Sequence, residues 1–108
     1  MISLQQMIMA YLPFFNVVAS ESAINPMALL QLSYDITGGN MQLLKANNFF
    51  AIKSLSAKDF HKYPNIFDGI NAGIDKLKSH PNFSKNKIGT LKANQNLQYQ
   101  KLKDLIKL

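Results

Sequence analysis

Apolar residues recur at helical spacing along most of this chain. Leu4, Met7, Ile8, Tyr11 and Leu12 share one face and predict a helix over residues 3–12. Pro13 starts a second helical piece, in which Phe14, Phe15, Val17 and Val18 turn partly inward. Glu21-Ser22 is a polar turn. The next helix is the central one. Asn25 is its N-cap, Pro26 occupies its first position, and Gly38-Gly39 closes it in the left-handed conformation. Between those marks only Gln31, Ser33 and Asp35 are clearly polar, so the helix belongs inside the protein.

The second half is read the same way. Asn40 caps a short helix over 41–46, and Asn47-Asn48 breaks it. Phe49 to Lys53 is the best strand candidate. With the turn Ser54 to Lys58 and the return Asp59 to Tyr63 it predicts one short β-hairpin, which must lean on helices for stability. Ile66, Ile70, Ile74 and Leu77 form the stripe of a helix over 65–78, ended by His80-Pro81-Asn82 with Phe83 closing the end. Ser84 to Asn86 is a loop, and Ile88 to Ala93 is helical. Asn96 caps a last helix over 97–107, with Tyr99, Leu102, Leu105 and Ile106 inward and Lys101, Lys103 and Lys107 outward. The 108 residues make one domain, mainly α, built around a buried central helix.

Composition narrows the chemistry. There is no Cys, and His61 and His80 have no ligand pattern around them, so neither disulfides nor a metal or other cofactor is expected. The charge is uneven. Residues 1–44 hold Glu21 and Asp35 and no lysine, a balance of −2; residues 45–108 hold all 12 lysines and four aspartates, a balance of +8. With no Arg to read base edges, nucleic acid is not an expected partner. A lysine-rich face suits other polyanions, including cell-wall polymers. The apolar run Met7 to Ala19 is too short to span a bilayer, and the start of the chain lacks the basic segment of a secretion signal.

Asp35 is the candidate for chemistry. It stands in the last turn of the central helix, where apolar neighbours and the negative end of the helix dipole favour the protonated form that a general acid needs.

The order of motifs resembles the peptidoglycan-cleaving glucosaminidases of flagellar, autolysin and phage-lysin type, which have a lysozyme-like fold. Ile24-Asn25-Pro26 leads through Leu29-Leu30-Gln31 to Asp35 at the position of the family's catalytic Glu. Asn47-Asn48-Phe49-Phe50-Ala51-Ile52-Lys53 is similar to the family's Asn-Asn-Leu-Phe-Gly-Ile-Lys. Phe60-His61-Lys62-Tyr63, then Leu77 with His80-Pro81-Asn82-Phe83, then Leu91-Lys92-Ala93 and Tyr99-Gln100-Lys101-Leu102, follow the family's order to the end of the chain. The chain departs from the pattern at Asp35, at Ala51, at Asn94 to Gln98 where a tyrosine segment is lost, and in a shortened region between Lys53 and Phe60.

The resemblance implies an α+β lysozyme-like domain and a peptidoglycan glycosidase, with Asp35 as general acid and Asp59 as the acid placed across a cleft. Gln42, Asn47 and Asn48 would hydrogen-bond the sugars, and Tyr34, Phe50 and Tyr63 would stack on them. The departures keep a second expectation open: a catalytically degenerate protein serving as a virion component or wall binder. A third is a lytic transglycosylase, echoed by Gly39-Asn40-Met41-Gln42-Leu43. The partners implied are glycan strands and other virion proteins. The protein would be virion-associated, or released to the wall or periplasm without an ordinary signal peptide and cytoplasmic until lysis.

Overall fold

A computed structural model describes residues 1–56 and 58–106. The fold is mainly helical: α1 (Leu4–Ala19), α2 (Pro26–Thr37), α3 (Met41–Lys45), α4 (Ile66–Ser79), α5 (Pro81–Lys85) and α6 (Gln95–Ile106), with a 3₁₀ turn at Ile88–Thr90.

Helix α2 forms where its end signals place it. Asn25 accepts from the N–H groups of Met27 and Ala28, Pro26 opens the helix, and Gly38 closes it at φ 62°. Ala28, Leu29, Leu30 and Leu32 are fully buried and join residues of α1, α4, α5 and α6 in one core. Asn40 caps α3 through the N–H groups of Gln42 and Leu43.

Helix α1 is one continuous helix, not two pieces, and Pro13 lies inside it. Proline removes the hydrogen bond that would reach back four residues. The carbonyl left free belongs to Met9, on the exposed side of α1, where water can satisfy it. Ser3 and Gln6 form a reciprocal capping box at the start of α1.

The expected hairpin is reduced to a single antiparallel bridge, Lys53 to Phe60. Ala51 stands at φ 51°, in the left-handed region, and interrupts the extension that a strand needs. Two backbone bonds cross the loop, from the His61 N–H to the Ile52 carbonyl at 2.9 Å and from the Ser54 N–H to the Asp59 carbonyl at 2.7 Å, and Asn48 adds to them. Its side-chain oxygen accepts from the N–H of Ile52 at 2.9 Å, and its amide nitrogen donates to the carbonyls of Ile52 at 2.8 Å and His61 at 2.9 Å. Residues 88–93 likewise form only the short 3₁₀ turn, and α5 covers Ser84 and Lys85, expected as loop. The last helix begins at Gln95, before the expected cap Asn96, and Lys107 lies outside the described residues.

Segment 47–50 lies against α4 because α4 carries glycine at two successive turns. A Cβ on Gly69 would stand 1.7 Å from the Asn47 carbonyl oxygen, and one on Gly73 would stand 2.0 Å from the Phe50 ring. Ser33 Oγ in α2 donates to the Phe49 carbonyl from the other side. Phe49 is thereby fully buried, edge-on to Tyr11 and Phe15 of α1.

Two substitutions test this account in chemical unfolding. Ala51→Gly relieves a left-handed non-glycine residue and should stabilise the fold by about 1 kcal/mol. Gly69→Ala should destabilise it by about 2 kcal/mol, although alanine is the better helix former by about 1 kcal/mol, because the added carbon meets backbone. A stabilising Gly69→Ala would show that the 47–50 segment is not seated on α4.

Candidate functional site

Asp35 sits two residues before the end of α2, and its side chain is exposed. The apolar surroundings expected around it are absent, because the buried face of α2 is carried by Leu29, Leu30, Leu32 and Ser33 instead. What Asp35 has is a single built contact: the hydroxyl of Tyr99, on α6, donates to its Oδ2 across 64 residues of chain. Tyr99 was expected as plain core. The signal that could have found it is its place at the start of the last motif, Tyr99-Gln100-Lys101-Leu102.

The pair is held in place from both sides. α6 packs along α2. Gln98, fully buried beside Tyr99, accepts from the Asn25 N–H at 2.6 Å and donates to the carbonyls of Ala23 at 3.2 Å and Ile88 at 3.1 Å. Near the other end of α6, Leu105 and Ile106 share a cavity wall with Ile36, next to Asp35. The Lys103 ammonium stands 5.2 Å from the centre of the Tyr99 ring. The bond to Asp35, followed by burial and the carboxylate charge, pushes the Tyr99 phenol up to about 12 from 10.0.

The other expected site residues fall in different places. Tyr34 is half-buried, and its hydroxyl donates to the Ile2 carbonyl at 3.2 Å, tying the start of the chain to α2. Asn48 is fully buried with its amide taken up by backbone, so it presents nothing to a sugar. Asn47, at φ 57°, donates to the Tyr63 carbonyl at 3.1 Å. Tyr63 is half-buried with its ring 4.4 Å from that of His61, and burial pushes its phenol up. Phe50 is 6% exposed and lines the same cavity as Ile36, Leu105 and Ile106, about 450 Å³, together with Gly73, Lys76, Leu77 and His80. These five residues build the fold around the site, and the expected stacking surface of Tyr34, Phe50 and Tyr63 does not form.

Gln42 and Asp59 do come together. Both line a cavity of about 630 Å³ between α3 and the bridged loop, with Asn40, Leu43, Lys45, Ala46, Phe60 and Lys62. Asp35 is not among its lining residues. Among the described residues no three His, Asp or Glu side chains gather as a metal site, and no helix is long and apolar enough to cross a membrane. Comparison of the chain with protein-family models, curated proteins and solved structures gives no match.

Titration tests the pair directly. Tyrosinate absorbance should show one phenol ionising near 12, and in Asp35→Asn that step should fall back toward the ordinary value of about 10. The folded phenol has the raised value. Its stabilising contribution is therefore complete below about pH 10 and is lost as pH rises toward 12. A titration unchanged by Asp35→Asn would break the assignment.

Proposed function

We propose that this protein acts on peptidoglycan as a glucosaminidase-type glycosidase of lysozyme-like fold. Asp35 is its acid and Tyr99 is the positioning residue for that acid. One observation carries the reading: the residue at the position of the resembled family's catalytic Glu is exposed, and a phenol from a distant helix fixes its carboxylate.

The chemistry follows from the pair. Asp35 gives a proton to the leaving glycosidic oxygen as the bond from the sugar carbon breaks. A hydroxyl both donates and accepts, so Tyr99 holds the carboxyl in either protonation state, donating to the anion and accepting from the acid. The cavity that Asp59 lines does not include Asp35, so the reading uses one carboxylate. The developing sugar cation is met by the substrate's own acetamido group, whose carbonyl oxygen bonds to the same carbon; water then displaces that oxygen, giving the new reducing end and returning a proton to the Asp35 carboxylate. In this reading the partners are glycan strands, and the protein reaches the wall in a virion or on lysis.

A second reading is favoured by a specific observation. Asp59, the other candidate acid, lines a cavity that excludes Asp35, and only one bridge remains of the wall expected opposite. That arrangement suits a wall-binding or virion component that holds glycan without cutting it.

Turnover on purified peptidoglycan, with fragments read by mass spectrometry, separates the readings. New reducing N-acetylglucosamine ends are expected. They should vanish in Asp35→Asn and fall about tenfold to a hundredfold in Tyr99→Phe, where the carboxyl loses its orienting partner. Anhydro-sugar ends would make the protein a lytic transglycosylase. Fragments from Asp35→Glu alone would mark a retired enzyme. Silence from the natural protein and all three variants would establish the binding role.

A further inference from the structure

The 630 Å³ cavity beside α3 is the best-equipped concave surface that the Asp35–Tyr99 pair leaves unused. Its size is within the range of small-ligand sites, about 300–1,000 Å³. Its lining carries three chemistries. Lys45 and Lys62 supply ammonium groups, and Lys53 adds a third at the rim, its Nζ 4.6 Å from the centre of the Phe60 ring. Asp59 supplies an acceptor, and the exposed amide of Gln42 supplies both donors and an acceptor. Phe60 is 42% exposed, which leaves part of its apolar surface open to a ligand.

Each feature restricts the occupant. Two lysines against one aspartate leave the lining net positive, which selects an anion. Asp59 accepts and cannot donate, so the occupant must also bring hydroxyl or N–H donors. Phe60 needs an apolar face to cover it. A simple anion lacks the second and third features, and a neutral sugar lacks the first.

We propose that this cavity is a recognition site for an anionic saccharide, a sugar ring bearing a carboxylate or a phosphate. The ring lies on Phe60, the acid group meets Lys45 and Lys62, and the hydroxyls meet Asp59 and Gln42. The site is separate from Asp35 and does not depend on turnover there. It gives the lysine-rich half of the chain a place where positive charge is combined with shape.

The test is titration of the full chain, followed by amide and side-chain NMR shifts. The probes are glucuronic acid and glucose 6-phosphate, against glucose and inorganic phosphate. The expected result is shifts centred on Gln42, Lys45, Phe60 and Lys62 with one or both acidic sugars, and at least several-fold weaker shifts with glucose and with phosphate. The carboxylate and phosphate arms distinguish wall sugar acids from phosphorylated polymers. The double change Lys45→Gln with Lys62→Gln, both on exposed side chains, should weaken binding about tenfold, while Asp75→Asn on the outer face of α4 leaves it unchanged. Equal binding of inorganic phosphate would reduce the cavity to an unspecific basic patch and overturn the proposal. So would equal binding of glucose, binding indifferent to the two lysine changes, or no response at these residues.

Discussion

The buried amide of Gln98 is the contact on which the rest of the site depends. It bonds the N–H that opens α2, a carbonyl just before it, and a carbonyl of the 3₁₀ turn, all from one side chain with no exposure to water. Each such bond contributes about 1 kcal/mol, but a buried amide stripped of partners costs about 1–3 kcal/mol per group. The three bonds therefore work mainly by excluding other registers between α6 and α2. They set the two helices running in the same direction, start against start, with Leu105 and Ile106 near the end of α6 beside Ile36. Tyr99 follows Gln98 directly. Its reach to Asp35 is a consequence of that register.

Asn48 performs the same service for the other half. Where a hairpin would have satisfied its own backbone, one side chain satisfies Ile52 twice and His61 once. The arrangement tolerates a short, irregular loop on the surface of a helical core, provided the loop's base is seated. Gly69 and Gly73 seat it, by letting the Asn47 carbonyl and the Phe50 ring approach α4 closer than any Cβ would allow. Ala51 is the residue strained by that path. The 630 Å³ cavity exists because this loop stands off α3 while remaining anchored at Asn48.

What was legible in the sequence was what is decided locally. Asn25-Pro26, Gly38-Gly39 and Asn40 mark ends whose chemistry acts within three or four residues, and the structure places helix ends there. The stripe Ile70, Ile74, Leu77 is buried for the same reason. What failed was decided by contacts distant in sequence. Phe49 to Lys53 has strand composition, but a strand needs a partner along its length, and here two backbone bonds and a side-chain amide stand in its place. Asp35 follows an apolar run, yet its position around the helix axis turns it outward. Pro13 reads as a break until one knows that the carbonyl it frees faces water. Gln98 reads as a surface residue between lysines, and nothing near it in sequence announces three buried backbone partners.

The candidate residues have neighbours other than those expected, and that has a physical cause. A motif specifies residue types along a strand or loop, whereas a cleft requires that two such segments face each other. Here Asn47-Asn48 turned inward to hold the loop, which left Gln42 and Asp59 facing each other across α3 and left Asp35 to α6. The acid with an orienting phenol and the cavity with an aromatic floor are thus carried by different helices. The charge follows the same division: α1 and α2 carry Asp35 and no lysine, while Lys45 and Lys62 line the cavity. The division is not complete: the Lys103 ammonium stands over the Tyr99 ring, beside Asp35, and the Lys92 ammonium donates to the Ser22 carbonyl just before α2.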